Sequence, residues 1–487
     1  MIISTHQGKC HTIEYSLVNI SELQGELRLD AEYYDPSLIK LEEKIRKLNN
    51  KALRNIATNT YETFNNRNCN KFYYIEIANV DLSTGNYEVE EIPCKSAPSR
   101  ARKLVEKNDI LVSTVRPNRN AVTFILDVNK KPLVASTGFC KLRIISNEVK
   151  PCYLFILLKT THYRQLLTRK TTATMYPAVS EEDIMNLPIP IPSDIFQKLI
   201  EKLVIKAHEE QKKAEQFYKQ AEEILLEELG LKNWRPKTKK IKLGKKELEE
   251  EENISIRTLS DVIKSNRMDA EYWEPKYDEL LNKLREKVKL SYLEQFLTSP
   301  PLKGIEVGSN NYQEEGIPFI RVSNISKYEL IRRDQKYISY ELYIKLKDKF
   351  EPKKGEILLT KDATPGIAYV LKEDFKGIIA SGIVRLQVKD INKEYLALII
   401  NSIIGQMQII KEGGGSIISH WKPSQIKKLL IPLIESKIQQ KISYLIQQSF
   451  KSRENSKKLL EIAKRTVEIY IEKNEEEGIK YANNKLK

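Results

Sequence analysis

One stretch limits what this chain can fold into more than any other. Between the run Pro188, Pro190, Pro192 and Gly230 lie residues 193–229, with neither proline nor glycine among them. That is a start signal, a long helix and a stop signal. A seam runs through Phe196, Ile200, Leu203, Ala207, Glu210, Ala214, Phe217, Ala221 and Ile224, in alternating steps of four and three. The spacing predicts a helix roughly 55 Å long that packs along its length against another helix. Small residues in mid-seam imply a close approach.

The partner lies in the same chain. After Pro432 come Ile438, Ile442, Leu445, Ser449, Ser452, Ser456, Leu459, Ala463, Thr466 and Tyr470, the same steps 242 positions on. Again the ends are apolar and the middle is small. The alternative is a pair of unrelated surface helices, but shared spacing and profile favour a paired coil.

The duplication extends beyond the helices. Residues 21–36 read SELQGELRLDAEYYDP and residues 260–275 read SDVIKSNRMDAEYWEP. Arg28, Asp30, Ala31, Glu32, Tyr33 and Pro36 return as Arg267, Asp269, Ala270, Glu271, Tyr272 and Pro275. An internal repeat decides the architecture. The segments after each proline, 37–48 and 276–287, are expected to be helical. Further on, 75–80 answers 320–325, 109–114 answers 356–361, and Ala135-Ser136 answers Ala380-Ser381. These stretches are short, β-branched and bounded by turn residues, so they predict strands. An amphipathic helix, 151–168 against 393–410, then precedes each proline-bounded strand and long helix. Residues 235–253, RPKTKKIKLGKKELEEEEN, carry a basic block and then an acidic one. They suit a solvated linker, with a helix extension as the alternative.

The expected fold class is therefore α+β. A globular domain (1–192), a long helix (193–230), a linker (231–254), a second globular domain (255–432), a second long helix (433–474) and a charged tail (475–487) follow in order. Direct repeats whose helices pair antiparallel would place the two domains at opposite ends of a rod, about a pseudo-two-fold axis.

At 487 residues the chain is too long for one core. Its 81 Lys and Arg outnumber 66 Asp and Glu, a net charge of +15, which favours a polyanionic partner. Five cysteines, Cys10, Cys69, Cys94, Cys140 and Cys152, form no CxxC pair. Neither a disulfide framework nor a zinc site is expected, and a reducing cytoplasm is. No apolar run reaches membrane-spanning length, and no signal peptide opens the chain.

Catalytic constellations do not stand out. There is no GxxxxGK[ST] loop and no GxGxxG after a strand. Thr298-Ser299-Pro300-Pro301 resembles part of the Pro-Pro motif of amino-methyltransferases, but Leu302 stands where an aromatic should stack on the target base; a turn is the simpler reading. Glu356 with Lys361 as a nuclease pair is a coincidence available in any Lys-rich strand. His6, His11, His162, His208 and His420 lack metal-ligand spacing.

Binding signals are stronger. The strand at 110–114 ends in Thr114 and opens into Val115-Arg116-Pro117-Asn118-Arg119-Asn120. Arg and Asn are the side chains that pair bidentately with guanine and adenine edges; a solvated turn is the alternative. The equivalent place in the second copy is Lys361-Asp362-Ala363-Thr364. Ser96, Arg100 and Arg102 occupy a basic loop suited to phosphates or bases. The polar loop 171–176, ending in Tyr176, matches 413–418, GGGSII, with Gly414 and Ser416. Such loops let backbone N–H groups approach phosphate. His420 and Trp421 follow as DNA contacts, with a core role an equal alternative for Trp421.

At this point the chain resembles a family: the specificity (S) subunit of type I restriction-modification systems, over essentially its full length. The residues that carry the resemblance are GIPFIRVSNI at 316–325, GEILLT at 355–360, and Ile431-Pro432 leading into a helix with Gln439 and Gln440. The first copy matches more loosely, with Asn108-Asp109 for Gly355-Glu356 and Thr171-Thr172-Ala173 for three glycines. The resemblance implies two target-recognition domains, each reading half of a split double-stranded DNA sequence, spaced by an antiparallel coiled coil. It implies two methyltransferase subunits and two restriction–translocation subunits as partners. Those partners would use S-adenosylmethionine, ATP and Mg²⁺, and the S subunit itself has no catalytic residue to carry over. Two other readings are a self-sufficient DNA methyltransferase or nuclease with a degenerate site, and a coiled-coil scaffold. Methylation by the chain alone would establish the former, and absence of DNA binding even with partners present the latter.

Overall fold

The computed structural model describes residues 2–4, 15–17, 19, 20, 28, 30–128, 130–171, 176–236, 240–243, 246–249, 256–331, 334–413 and 420–486. The chain divides into two compact units, Met1–Gln211 with Arg453–Lys487, and Lys212–Ser452.

In the first unit, one sheet has the strand order Glu90–Pro93, Lys71–Ile75, Leu133–Ser136, Ala101–Leu104. A second runs Ala57–Thr58, Phe139–Ile144, Ile110–Ser113, Val122–Phe124. Pro188–Pro190 pairs with Asn50–Ala52. The second unit repeats the plan. Lys336–Ile338, Ile317–Ile320 and Ile378–Ile379 form one sheet; Leu302–Lys303, Ile383–Leu386, Ile357–Thr360 and Ala368–Val370 form the other. Lys289–Tyr292 pairs with Leu430–Leu433. Both units pair strands in parallel at the same place, Leu133–Ser136 with Lys71–Ile75 and Ile378–Ile379 with Ile317–Ile320. The helices after each proline are Pro36–Lys47 and Pro275–Lys287, each with proline in its first turn, where no N–H is needed.

The region expected to be one amphipathic helix is two helices in each copy: Pro151–Lys159 and Thr161–Arg169, then Lys393–Asn401 and Ile403–Gly413. The first of each pair is buried almost throughout, so it has no solvent face to make it amphipathic. A hydroxyl makes each break. Thr160 Oγ1 donates to Leu157 O and accepts from Tyr163 N, and Ser402 Oγ donates to Ile399 O and accepts from Ile404 N. The side chain takes over main-chain partners that would otherwise continue the helix.

Matching bonds hold each frame. The buried hydroxyl of Tyr153 donates to Pro190 O and that of Tyr395 to Pro432 O, at 2.9 and 2.8 Å. Gln197 accepts from Lys150 N and donates to Pro192 O; Gln439 accepts from Asn392 N and donates to Ile434 O. The duplicated Arg-x-Asp has a structural use too. Arg28 grips Asp30 and donates to Lys170 O and Thr171 O. Arg267 grips Asp269 and donates to Glu412 O. Both guanidinium groups satisfy carbonyls at a helix C-terminus, where four lack intrahelical donors.

The long helices are Asp194–Glu228 and Ser436–Glu472. The first stops at a Schellman turn: Leu231 N donates to Leu226 O and Gly230 N to Glu227 O, with Gly230 at φ +66°, a conformation open to glycine at little cost. Within the first unit the pairing is antiparallel. Phe196 meets Tyr470 with ring centroids 5.1 Å apart, and Glu210 accepts from Asn455. Ile200, Leu203, Ala207, Leu459 and Ala463 are buried in the same core. Within the second unit Ser449 Oγ donates to Ala214 O at 2.7 Å, so the small mid-seam residues do allow the backbones to come close.

The seam departs from the strict heptad after Ala214. Tyr218, Ala221, Leu225 and Leu229 are the buried positions, whereas Phe217 and Ile224 are half-buried. On the other helix Ile442 and Ile446 are buried, and Ile438 and Leu445 are half-buried. A helix turns every 3.6 residues, so a strict 3.5-residue seam drifts by about 20° per heptad and slips by one position over this length.

Three further expectations change. The linker holds a hairpin, Lys240–Leu243 paired antiparallel with Lys246–Glu249, with Lys240 opposite Glu249 and Lys242 opposite Glu247. Residues 475–487, expected to be a charged tail, include the helix Glu475–Leu486 with Gly478 and Ala482 buried; Glu475 accepts from Ser193 N and Oγ. Cys69 and Cys94 form a disulfide, which the absence of a CxxC spacing had argued against: the sheet brings together two turns far apart in sequence. Cys140 and Cys152 are buried free thiols, pushed up to about 12 by burial; Cys10 lies outside the described residues. Among the described residues no helix is long and apolar enough to cross a membrane.

Candidate nucleic-acid interface

In each unit a strand delivers a loop to the same neighbour. Thr114, just past Ile110–Ser113, donates from its N–H to Gly138 O and accepts from Val179 N, both at 2.9 Å. Lys361, just past Ile357–Thr360, donates to Gly382 O and accepts from Trp421 N, both at 2.8 Å. The strand-end loop is thus clipped to the chain that emerges from the polar or glycine-rich loop. Val115 bridges to Ala178 in one unit, Asp362 to His420 in the other.

In the first unit the loop carries Arg116, Asn118 and Arg119. Arg116 and Asn120 adopt left-handed backbone conformations, φ +50° and +56°, either side of the short turn Pro117–Arg119. Arg116 N donates to Pro177 O, and its guanidinium lies 5.3 Å from the ring centre of Tyr176, which is 66% exposed. Asn118 is exposed and Arg119 half-buried. Asn120 differs from its neighbours: its amide turns inward and donates to Lys159 O at 2.8 Å. It shapes the loop from within, its Oδ1 buried without a hydrogen-bond partner among the described residues, whereas Asn118 is exposed. Thr114 Oγ1 likewise donates to Gly138 O.

Ser96, Arg100 and Arg102 are exposed. Ser96 and Arg100 border a cleft of about 500 Å³ with Tyr74, Glu76, Glu90 and Glu91. Those carboxylates make the cleft hostile to phosphate and suited to amino-bearing base edges. Arg102 lies near, its Nε donating to Ser99 O. Next to Arg102 on the same strand, and facing the other way, is a residue the sequence did not flag. Lys103 is buried, its ammonium bonded to Phe139 O at 2.6 Å and Glu181 at 2.5 Å. Lys159 was missed as well; its only sequence signal is a lysine ending a long apolar run.

In the second unit the loop is of different chemistry. Asp362 accepts from Lys361 Nζ at 2.6 Å and lies 2.9 Å from His420 Nδ1. Burial works against the Asp362 charge, but those hydrogen bonds together hold its carboxyl below the ordinary value. The His420 side chain is 64% exposed. Thr364 is exposed, and its carbonyl accepts from Thr360 Oγ1. Lys361 and Trp421 need correction as contact residues. Lys361 is buried behind its ion pair, and Trp421 is 2% exposed and packed in the core. Successive side chains of an extended segment point opposite ways, so His420 outward means Trp421 inward. Gly414 and Ser416 lie outside the described residues, as do residues 172–175.

The carboxylates nearest a catalytic reading are occupied. Glu356 accepts from Lys353 N, Gln387 Nε2 and Arg385, and Asp109, its counterpart, from Arg143. Thr298 and Ser299 bond to Gln387 at the sheet edge.

Comparison with known proteins agrees with this duplicated plan. A family model described as the type I restriction modification DNA specificity domain matches residues 46–220 and again 302–464. The specificity subunit of the HindI type I restriction enzyme of Haemophilus influenzae (strain Rd) is 30% identical over 148 residues, 30% of this chain and 28% of that protein. The matched segment therefore spans less than a third of that relative's length. Among solved structures, the HsdS subunit from Thermoanaerobacter tengcongensis is 17% identical over 87% of this chain and 96% of that one, with a TM-score of 0.31. The type I restriction-modification S subunit from M. genitalium is 12% identical over the same shares, with a TM-score of 0.37. At such scores neither structure adds weight, and the assignment rests on the family match.

Proposed function

Because the chain belongs to the type I restriction-modification DNA specificity family, with one specificity domain in each half, we propose that it reads a bipartite double-stranded DNA target and brings partner enzymes to it. The observation that carries this reading is the paired loop. Each unit clips a strand-end loop to the segment after the polar or glycine-rich loop by the same backbone bonds, yet arms it with different side chains. One unit offers Arg116, Asn118, Arg119 and Tyr176, with Ser96, Arg100 and Arg102 nearby; the other offers Asp362, Thr364 and His420, with Gly414 and Ser416 on the adjoining loop. Arg and Asn suit guanine and adenine edges; a carboxylate suits a cytosine amino group. The surplus of +15 supplies the general attraction to phosphate.

In this reading the chain performs no chemistry itself. Two methyltransferase subunits and two restriction–translocation subunits, in the cytoplasm, would carry S-adenosylmethionine, ATP and Mg²⁺. The long helices would set the gap between half-sites, expected at about one helical turn, centre to centre. Methylome sequencing of the host with and without this gene tests the reading. A split motif that vanishes with the gene is expected. A continuous motif, or one that persists without it, would overturn the assignment.

A further inference from the structure

We propose that Lys159 is a positioning residue for the 116–120 loop, tying that loop to the end of a buried helix so that its arginines are held for reading DNA; this rests on the function proposed above. Lys159 closes Pro151–Lys159, a helix otherwise made of Cys152, Tyr153, Leu154, Phe155, Ile156, Leu157 and Leu158 after its proline. Its side chain is buried. Nζ donates to Leu82 O at 3.0 Å and to Asn120 O at 3.5 Å. Asn120 returns the bond through its amide to Lys159 O. The tie therefore runs both ways, at the residue where the loop leaves its left-handed turn.

Stability alone does not explain a lysine here. A buried ammonium held by carbonyls is costly, and an unbranched apolar side chain such as methionine would fill the space without that cost. The charged groups facing it are Asp81, Glu461 and Lys464, the last two on the second long helix, while Lys457 also lies near Asp81. Burial brings the ammonium down to about 8, with Asp81 opposing the shift.

The other unit does the same job without a charge. At the matching helix position Asn401 accepts from Ala368 N at 3.0 Å and donates to Ala368 O at 2.8 Å. Ala368 begins the strand that follows the second loop, and Gln406 holds Gly366 O. An amide does not titrate. Raising the pH past 8 therefore weakens the charge-assisted bonds in the first unit and leaves the second untouched.

The test uses the full chain with its methyltransferase partners, after the methylome has fixed the motif. Hydrogen-exchange protection of residues 114–122 is measured without DNA at pH 7 and pH 9, using protection factors to remove the intrinsic effect of pH. Sequence discrimination is measured by competition with duplexes altered in one half-site. In the wild type, protection of 114–122 and discrimination at one half-site should both fall severalfold between pH 7 and pH 9. Lys159→Met should lower both about tenfold at pH 7 and abolish their pH dependence, with the other half-site unchanged. The wild-type series stands even if the variant does not fold. Protection that is insensitive to pH, or equal losses at both half-sites, would overturn the proposal. So would lost protection with both half-sites still read, which would leave the DNA-specificity reading standing. A wild-type complex that prefers no sequence would instead remove that reading.

Discussion

Between corresponding strands the two units diverge most. After Glu90–Pro93 the first unit makes a short turn, Cys94–Ser96, tied to Cys69, and then a strand, Ala101–Leu104. After Lys336–Ile338 the second inserts a helix, Tyr340–Phe350. Yet Tyr153 and Tyr395, Gln197 and Gln439, Arg28 and Arg267 make the same bonds in both. What is shared holds helices to strands; what differs lies at the strand ends and the segments beside them. A duplicated domain has kept its frame and changed the side chains it presents, as the proposed reading of two unlike half-sites requires.

The seam offers the largest test of the shared frame. Leu225 is fully buried in the same core as Tyr218 and Ile442, whereas Phe217 is half-buried. Leu225→Asp should cost about 4 kcal/mol or unfold the second unit, because a buried unpaired charge is not offset. Phe217→Asp, which a strict heptad would rank as equally damaging, should cost about 1 kcal/mol. Denaturant titration of both variants decides; equal losses would restore the uninterrupted seam.

A second contrast sets local order against global stability. Lys159 sits near 8 in the folded chain against an ordinary 10.5. Between those values the unfolded chain holds more protons, so stability rises with pH. The cost of the buried charge is present in full below 8 and relieved towards 10.5, by up to about 3 kcal/mol. Relative to Lys159→Met, the wild type should therefore gain stability from pH 8 to 10.5 while protection of its 116–120 loop falls. A wild-type stability that stays constant or falls relative to Lys159→Met over this range would contradict the buried-charge assignment.

The third contrast concerns the loops themselves. Arg116→Ala or Arg119→Ala should cost roughly 1–3 kcal/mol at one half-site and relax its sequence. Asp362→Asn should act only on the other. Methylation motifs sequenced for each variant, in a host supplying the partners, decide. Intact half-sites in both arginine variants would make these side chains ordinary solvated loop residues.

The duplication was legible because periodic and repeated signals survive averaging: the helices and the Arg-x-Asp repeat stand in the sequence, whereas 75–80 and 320–325, expected as strands, are strand ends at Ile75 and Ile320 running into the short turns Ile77–Asn79 and Val322–Asn324. Facing was harder. A one-position slip in the seam comes from helix geometry, not from residue type, and Trp421 and His420 are adjacent in sequence yet face opposite ways. Asn120 looks like nearby Asn118 in the sequence, yet its amide turns inward to the carbonyl of Lys159, a residue far away in the chain. The disulfide depends on sheet pairing that joins residues 25 apart. The helix breaks at Thr160 and Ser402 reflect hydroxyls that elsewhere sit quietly in helices.

The smallest effect asks how alike the two frames are. Tyr153 and Tyr395 are both fully buried, burial holding each phenol well above its ordinary value, and each donates to the carbonyl of a proline on the strand leading into a long helix. Removing the hydroxyl leaves that carbonyl without this donor and a small void, about 1 kcal/mol in either domain. Tyr153→Phe and Tyr395→Phe should therefore lower stability by the same amount, and the double variant by the sum, since the two sites share no partner. Neither should alter the methylation motif, because neither residue lies on a loop proposed to read DNA. Unequal losses in denaturant titrations would mean that the duplicated hydroxyls are not equivalent. A changed half-site in either variant would mean that the frame itself takes part in specificity, and the separation between shared scaffold and divergent reading edge would fail.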